Sequence, residues 1–270
     1  MQRLLYVPVL FLLFSCSGGG KAPRFNGNLS SEFLKGTWMV SGSDLSALKD
    51  QPYELRDQMD TYLIQHVLQF DGREKVSSDN GDIIPRQGTY QANEKALKLD
   101  LGNETFYYSL DRGSDSSLIL LIEKSKNPLF TEGKIILKRL NTEKYKIEDL
   151  SWKASPEQPL SGSEIKKKLK AMLTYYEQYF YAMMDRNIDI LAHRKIMLPV
   201  KYFSNGIELR PFEERKGWDV YFGDSTHART AYNILEKAYD KIAFFPTRKP
   251  PFQIYAIIFS NLAKNIDAAN

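Results

Sequence analysis

The sequence predicts an all-β antiparallel barrel over residues 34–140, followed by a smaller α+β domain over residues 161–270. Between Leu34 and Leu140, short β-rich runs alternate with turn dipeptides such as Asp71-Gly72 and Asn80-Gly81. Apolar residues in these runs recur at every second position: Leu97, Leu99 and Leu101 share one face, as do Leu118, Leu120 and Ile122. Beyond residue 160 the period lengthens. Ile165, Leu169, Met172, Leu173, Tyr176, Phe180 and Met183 then form a stripe at helical spacing.

The N-terminus reads as an export signal. Arg3 precedes an apolar stretch from Leu4 to Phe14, interrupted by Pro8 and closed by Ser15. The stretch is about 11 residues, against the roughly 20 that a membrane-spanning helix needs. Cys16, the only cysteine, follows directly. Ser17-Gly18-Gly19-Gly20 then has the composition of a flexible tether, expected to continue to residue 33.

Leu34 to Val40 opens the barrel as its first strand, and Asp44 to Asp60, polar and broken by Pro52, reads as a loop with a short helix. Tyr62–Phe70, Lys75–Ser78, Gly88–Gln91, Leu97–Leu101, Thr105–Leu110, Ser117–Glu123 and Lys134–Leu140 read as the strands that follow. Roughly eight short strands with almost no helix favour a meander that removes its own edges by closing. Asn141 to Leu160 loses periodicity and carries Pro156 and Pro159, which marks a linker, with Trp152 as the residue that docks it onto a domain. Ser161-Gly162-Ser163-Glu164 is a capping box that opens a helix to about Met184. Lys166, Lys167, Lys168 and Lys170 on its other faces read as a solvated surface. Asn187–Lys195 is expected as a short helix, and Val200–Phe203 with Ile207–Arg210 as a hairpin about Asn205-Gly206. Trp218–Phe222 and Phe252–Phe259 are expected as strands, with a helix capped by Asp224 or Ser225 between them. Such a set makes an α+β layer.

Composition narrows the functions. With 43% apolar and 13% aromatic residues the chain can bury cores, and a net charge of +4 is too mild for a nucleic-acid partner. The charge is uneven: residues 34–140 carry 14 basic and 16 acidic groups, residues 161–270 carry 17 and 12. His66, His193 and His227 lack metal-ligand spacing, so neither a metal nor a cofactor is expected. Asp219, Asp224 and His227 are the nearest approach to an acid–base cluster, but they surround a helix start, where capping accounts for the acids. No nucleophile motif appears, and the reading is non-enzymatic.

Leu13-Phe14-Ser15-Cys16 resembles the lipobox of bacterial, Bacteroidetes-type lipoproteins. The resemblance implies removal of residues 1–15, a diacylglyceryl group on the Cys16 thiol and an acylated Cys16 amine. It implies a membrane partner and a place on the periplasmic face of the outer membrane, tethered by residues 16–33. Gly36-Thr37-Trp38 resembles the G-x-W opening of lipocalins and lipocalin-like lipoproteins, and Arg139 stands where that fold places an arginine over the tryptophan to close one barrel end. This implies a small apolar ligand beside Trp38, Tyr90, Phe106, Tyr108 and Leu120. Eight strands enclose room for side chains or for one small ligand, so these residues either line a cavity or fill a core. The corresponding functions are a ligand-binding lipoprotein or a structural subunit among envelope protein partners. After the linker, the helix followed by Asp185-Arg186-Asn187-Ile188-Asp189-Ile190-Leu191 is faintly similar to the cone-shaped NTF2-like fold, a likeness that implies no function.

Overall fold

Eight antiparallel strands close into a barrel in the computed structural model of the chain. The structure describes residues 24–46, 49–52, 66–79, 85–125, 132–140, 144, 145, 147, 150–186, 199–203, 206–214, 217–242 and 248–269. The strands are β1 (Gly36–Leu45), β2 (Val67–Phe70), β3 (Lys75–Asp79), β4 (Arg86–Asn93), β5 (Ala96–Asp100), β6 (Thr105–Ser114), β7 (Ser117–Ser125) and β8 (Gly133–Arg139). Each pairs with the next, and β8 returns to β1 with Trp38 opposite Arg139 and Leu45 opposite Gly133. Alternation sorts the side chains. Trp38, Val40, Leu68, Phe70, Val76, Tyr90, Leu97, Leu99, Leu118, Leu120 and Leu137 form one buried cluster inside the barrel. A bulge in β1 between Val40 and Gly42 brings Leu45 back into that cluster.

The meander gives the barrel two unlike ends. Gly36, the turns at 71–74, 94–95 and 115–116, and Arg139 lie at one end. The first turn is held by Asp71, whose carboxylate accepts from the amides of Arg73, Glu74 and Lys75. At this end the expectation of a tether through residue 33 is corrected. Leu29 bridges to Glu94, and Ser30 caps a single helical turn, α1 (Ser31–Leu34). Leu29, Phe33 and Leu34 are buried in the barrel cluster. The Gly/Ser composition stops at Gly20, and the apolar residues that follow have a core to enter. The other end, between Leu45 and Val67, Asp79 and Arg86, Asp100 and Thr105, and Ser125 and Gly133, is the mouth.

The C-terminal part is helical, with one hairpin. It contains α2 (Gly162–Arg186), β9 (Val200–Phe203), β10 (Gly206–Leu209), α3 (Trp218–Phe222), α4 (Ser225–Asp240) and α5 (Pro251–Asn265). The α+β expectation fails at two elements. Trp218–Phe222 is a short helix bracketed by Gly217 and Gly223, both at positive φ, and not a strand. Phe252–Phe259 belongs to α5, which Pro251 opens at its first turn. Ile254, Tyr255, Ala256, Ile258 and Phe259 are all buried. The less buried face of the helix carries Ile257, so apolar residues run unbroken from Ile254 to Phe259, and their β-branched and aromatic content mimics a strand.

The linker is also corrected. Leu140, Tyr145, Ile147, Leu150 and Trp152 share one core with the helices, so packing of the helical unit begins at residue 140. Met39 and Val67, paired on the outside of β1 and β2, enter the same core and seat the helical unit against the barrel wall. The capping box forms as expected, with the Glu164 carboxylate accepting from the Ser161 amide at 2.7 Å. The expected helix at Asn187–Lys195, the residues Tyr62–Gln65, the Asn80-Gly81 turn and Asn205 lie outside the described residues.

Candidate functional site

The closed end of the barrel is built on Trp38. Its indole Nε1 donates to the Leu34 carbonyl at 2.7 Å, tying the first strand to α1. The Arg139 guanidinium lies 4.2 Å from the Trp38 ring centroid and 5.0 Å from that of Phe33. Its nitrogens donate to the carbonyls of Lys35 at 2.7 Å, Asp115 at 3.1 Å and Phe33. Burial pushes the Arg139 pKa down to about 10, which leaves the group charged near neutral pH. Phe33 also contacts Phe25 at 5.2 Å, so the N-terminal segment, the indole and the guanidinium form one floor.

Above the floor the expected ligand residues divide. Trp38 and Leu120 are fully enclosed at 0% exposure. Tyr90 packs edge-on against Phe70 at 4.7 Å, and its hydroxyl donates to the Ser31 carbonyl at 3.4 Å. These three belong to a solid lower barrel. Phe106 and Tyr108, stacked at 6.0 Å and 15°, retain 7% exposure each. Leu110 and Ile122 beside them retain 8% and 6%, so the largest residual exposures of this cluster lie along β6 and β7.

Near the mouth, polar side chains join this wall. Arg86 shares the face of Tyr90 by alternation, and its Nη1 donates to Glu104 Oε2 at 2.7 Å. Burial raises the Tyr108 pKa well above the usual phenol value, and the Glu104 carboxylate adds to the shift. His66, on the face of Leu68 and Phe70, bonds through Nε2 to Ser78 Oγ. The sequence reading places His66 in a strand but passes over Arg86, Glu104 and Ser78. Their signal is parity with Tyr90 and Val76 together with nearness to a strand end.

A second polar cluster stands on the outside of the same strand. Ser78 faces in and Asp79 faces out, where its carboxylate meets Lys153 Nζ and accepts from Tyr175 Oη at 2.6 Å. Lys153 and Asp79 are 1% and 5% exposed. Burial first, then the Asp79 charge, raises the Tyr175 pKa far above the phenol range. Trp152 lies within 5.4–5.5 Å of Tyr175, Tyr176 and Tyr221, so it docks the chain after the barrel onto the helices. The cluster joins strand, connecting segment and helix, and it acts as a joint.

Asp224 and His227 form a helix cap. Asp224 accepts from the His227 amide at 2.8 Å and from its ring at 2.7 Å, on the exposed start of α4. Cys16 and His193 lie outside the described residues. Among the described residues no group of His, Cys, Asp or Glu is arranged to hold a metal ion, and no helix is long and apolar enough to cross a membrane. No protein-family model, curated protein or solved structure matches the chain.

Proposed function

We propose that the chain is a lipid-anchored, non-enzymatic binding protein of the outer membrane, with a lipocalin-like barrel that takes a small apolar molecule. The carrying observation is the asymmetry of the barrel. The Trp38–Arg139 end is sealed, while Phe106 and Tyr108 remain the less enclosed part of an apolar wall below the Arg86–Glu104 pair. An apolar wall with a few polar groups at its entrance is the usual make-up of a small-molecule site. The ligand residues are then Phe106 and Tyr108, with Trp38, Tyr90 and Leu120 as the base beneath them. Cys16 carries the anchor, and the periplasmic face of the membrane is the setting.

Displacement of a fluorescent apolar probe tests the reading. Wild-type protein should bind the probe, and Phe106→Glu should abolish binding without altering the circular dichroism spectrum. Absence of binding by the wild type removes the proposal. A second reading is favoured by the complete burial of Trp38, Leu118, Leu120 and Leu137. In it the whole barrel is a solid brace and the protein is a structural subunit of an envelope assembly. Native mass spectrometry of protein taken from its own membrane separates the two: a bound small-molecule mass supports binding, and bound polypeptides support assembly.

A further inference from the structure

We infer that the outer face of β6, β7 and β8 is a docking surface for the anionic headgroups of the membrane that holds the anchor. The inference rests on the anchored reading above and adds an orientation to it. Tyr107 and Leu121, exposed by 40% and 38%, are among the few large apolar side chains that the described residues leave in solvent. They are neighbours: Leu121 stands opposite Ser109, two residues along β6 from Tyr107. Ile119 pairs with Ile136 and continues the apolar strip onto β8.

Cations surround the strip. Lys124 stands opposite Tyr107, Lys134 opposite Leu121, Lys138 opposite Ser117 and Arg112 opposite Ile119. The Lys98 ammonium lies 5.8 Å over the Tyr107 ring. The nearby acids are engaged within the protein: Asp44 with Lys134 at 3.6 Å, Asp111 with Arg112 at 3.8 Å, and Glu123 with Ser109. Among the described residues, Lys98, Lys124 and Lys138 have no carboxylate within ion-pairing distance. Lysines around exposed apolar tips suit the boundary of an anionic bilayer: the ammonium groups meet phosphates while the tips enter the interface.

The chain path places this face within reach of the membrane. Phe25 N donates to Asp115 Oδ1 at 2.6 Å, so the N-terminal segment leaves the barrel at the turn between β6 and β7. The eight residues from Ser17 to Arg24 separate that exit from Cys16 and span at most roughly 30 Å. Leu121 stands six residues along β7 from Asp115, about 20 Å. The strands that release the tether therefore also carry the cationic, apolar face. The helical unit packs on β1 to β3, against Met39, Val67 and Asp79, and borders this face where Met39 pairs with Lys138.

The test uses the mature chain on vesicles of phosphatidylethanolamine with phosphatidylglycerol, or of phosphatidylcholine alone, each carrying a headgroup nitroxide. A fluorophore is attached at Leu121→Cys or, as a control on the exposed face of β4 where it meets β3, at Gln87→Cys. On the anionic vesicles the probe at 121 should be quenched strongly and the probe at 87 weakly. Quenching at 121 should fall to the control level on phosphatidylcholine, in about 0.5 M salt, and in the Lys98→Glu/Lys124→Glu/Lys138→Glu variant. Equal quenching at both positions, or quenching at 121 that survives the charge reversals and the salt, overturns the inference. Intact mass reports Cys16 acylation separately. An acylated chain that stays unquenched at 121 rejects the surface and keeps the anchor. A wild-type chain whose intact mass shows Cys16 unacylated rejects the anchor, and quenching at 121 that persists in Cys16→Ser then keeps the surface.

Discussion

Arg139 concentrates four functions in one side chain: it stacks on Trp38 and binds three carbonyls that belong to Phe33, Lys35 and Asp115. A flat fork with several donors suits this geometry, whereas an ammonium does not. Arg139→Lys should therefore lower unfolding stability by about 2–3 kcal/mol, because carbonyls at the floor lose their donors. Urea unfolding followed by tryptophan emission measures this, and an unchanged midpoint would show that the floor does not depend on the fork. Trp38 and Arg139 were legible in the sequence only through the resemblance that Gly36-Thr37-Trp38 and the end of the last strand carry. Arg86, Glu104 and Lys153 were not legible. A charge in a sequence reads as solvated, and only the fold shows that Lys153 meets Asp79 across 74 positions.

The elements follow local chemistry where they have a local boundary. Gly133 opens β8 at a φ of 138°, and a Cβ there would stand 2.3 Å from the Asp44 carbonyl oxygen. Gly133→Ala should cost about 1–3 kcal/mol through backbone strain and push β8 away from β1, which thermal unfolding would register. Helix α4 starts on Asp224, whose carboxyl is held below the ordinary range by the His227 amide and then by the His227 ring. A lowered carboxylate pKa adds stability that is complete above the ordinary value of about 4 and disappears as pH falls through the lowered one. Asp224→Asn keeps a capping oxygen and removes the charge, so wild type should melt above it near pH 6, and the difference should shrink as pH falls below the ordinary carboxylate value of about 4. Equal curves at pH 6 would remove the carboxylate's charge from the account. The strands of the barrel were readable because half their residues face water and alternate. Helix α5 was not, since apolar residues fill every position from Ile254 to Phe259, Ile257 on the less buried face included, and hide the period that separates a helix from a strand.

At the scale of the whole molecule, the barrel and the helices share Met39 and Val67, and the buried Asp79–Lys153 pair locks them together. Removing one member strands the other charge. Asp79→Ala alone should destabilise by about 3–5 kcal/mol, while Asp79→Leu with Lys153→Met should recover most of the loss. A double-mutant cycle in urea measures the coupling, and additive effects would refute the lock. With that joint intact, Trp38 in the barrel and Trp152 and Trp218 among the helices should report one unfolding transition. The N-terminal segment has a further consequence, for shedding by proteases if Cys16 is anchored as proposed. A cut between Ser17 and Pro23 then frees the chain and leaves Phe25, Leu29 and Phe33 with the barrel. A cut past Leu29 also uncorks the barrel and bares the underside of Trp38 to water, so the position of the cut decides whether the released chain keeps its floor.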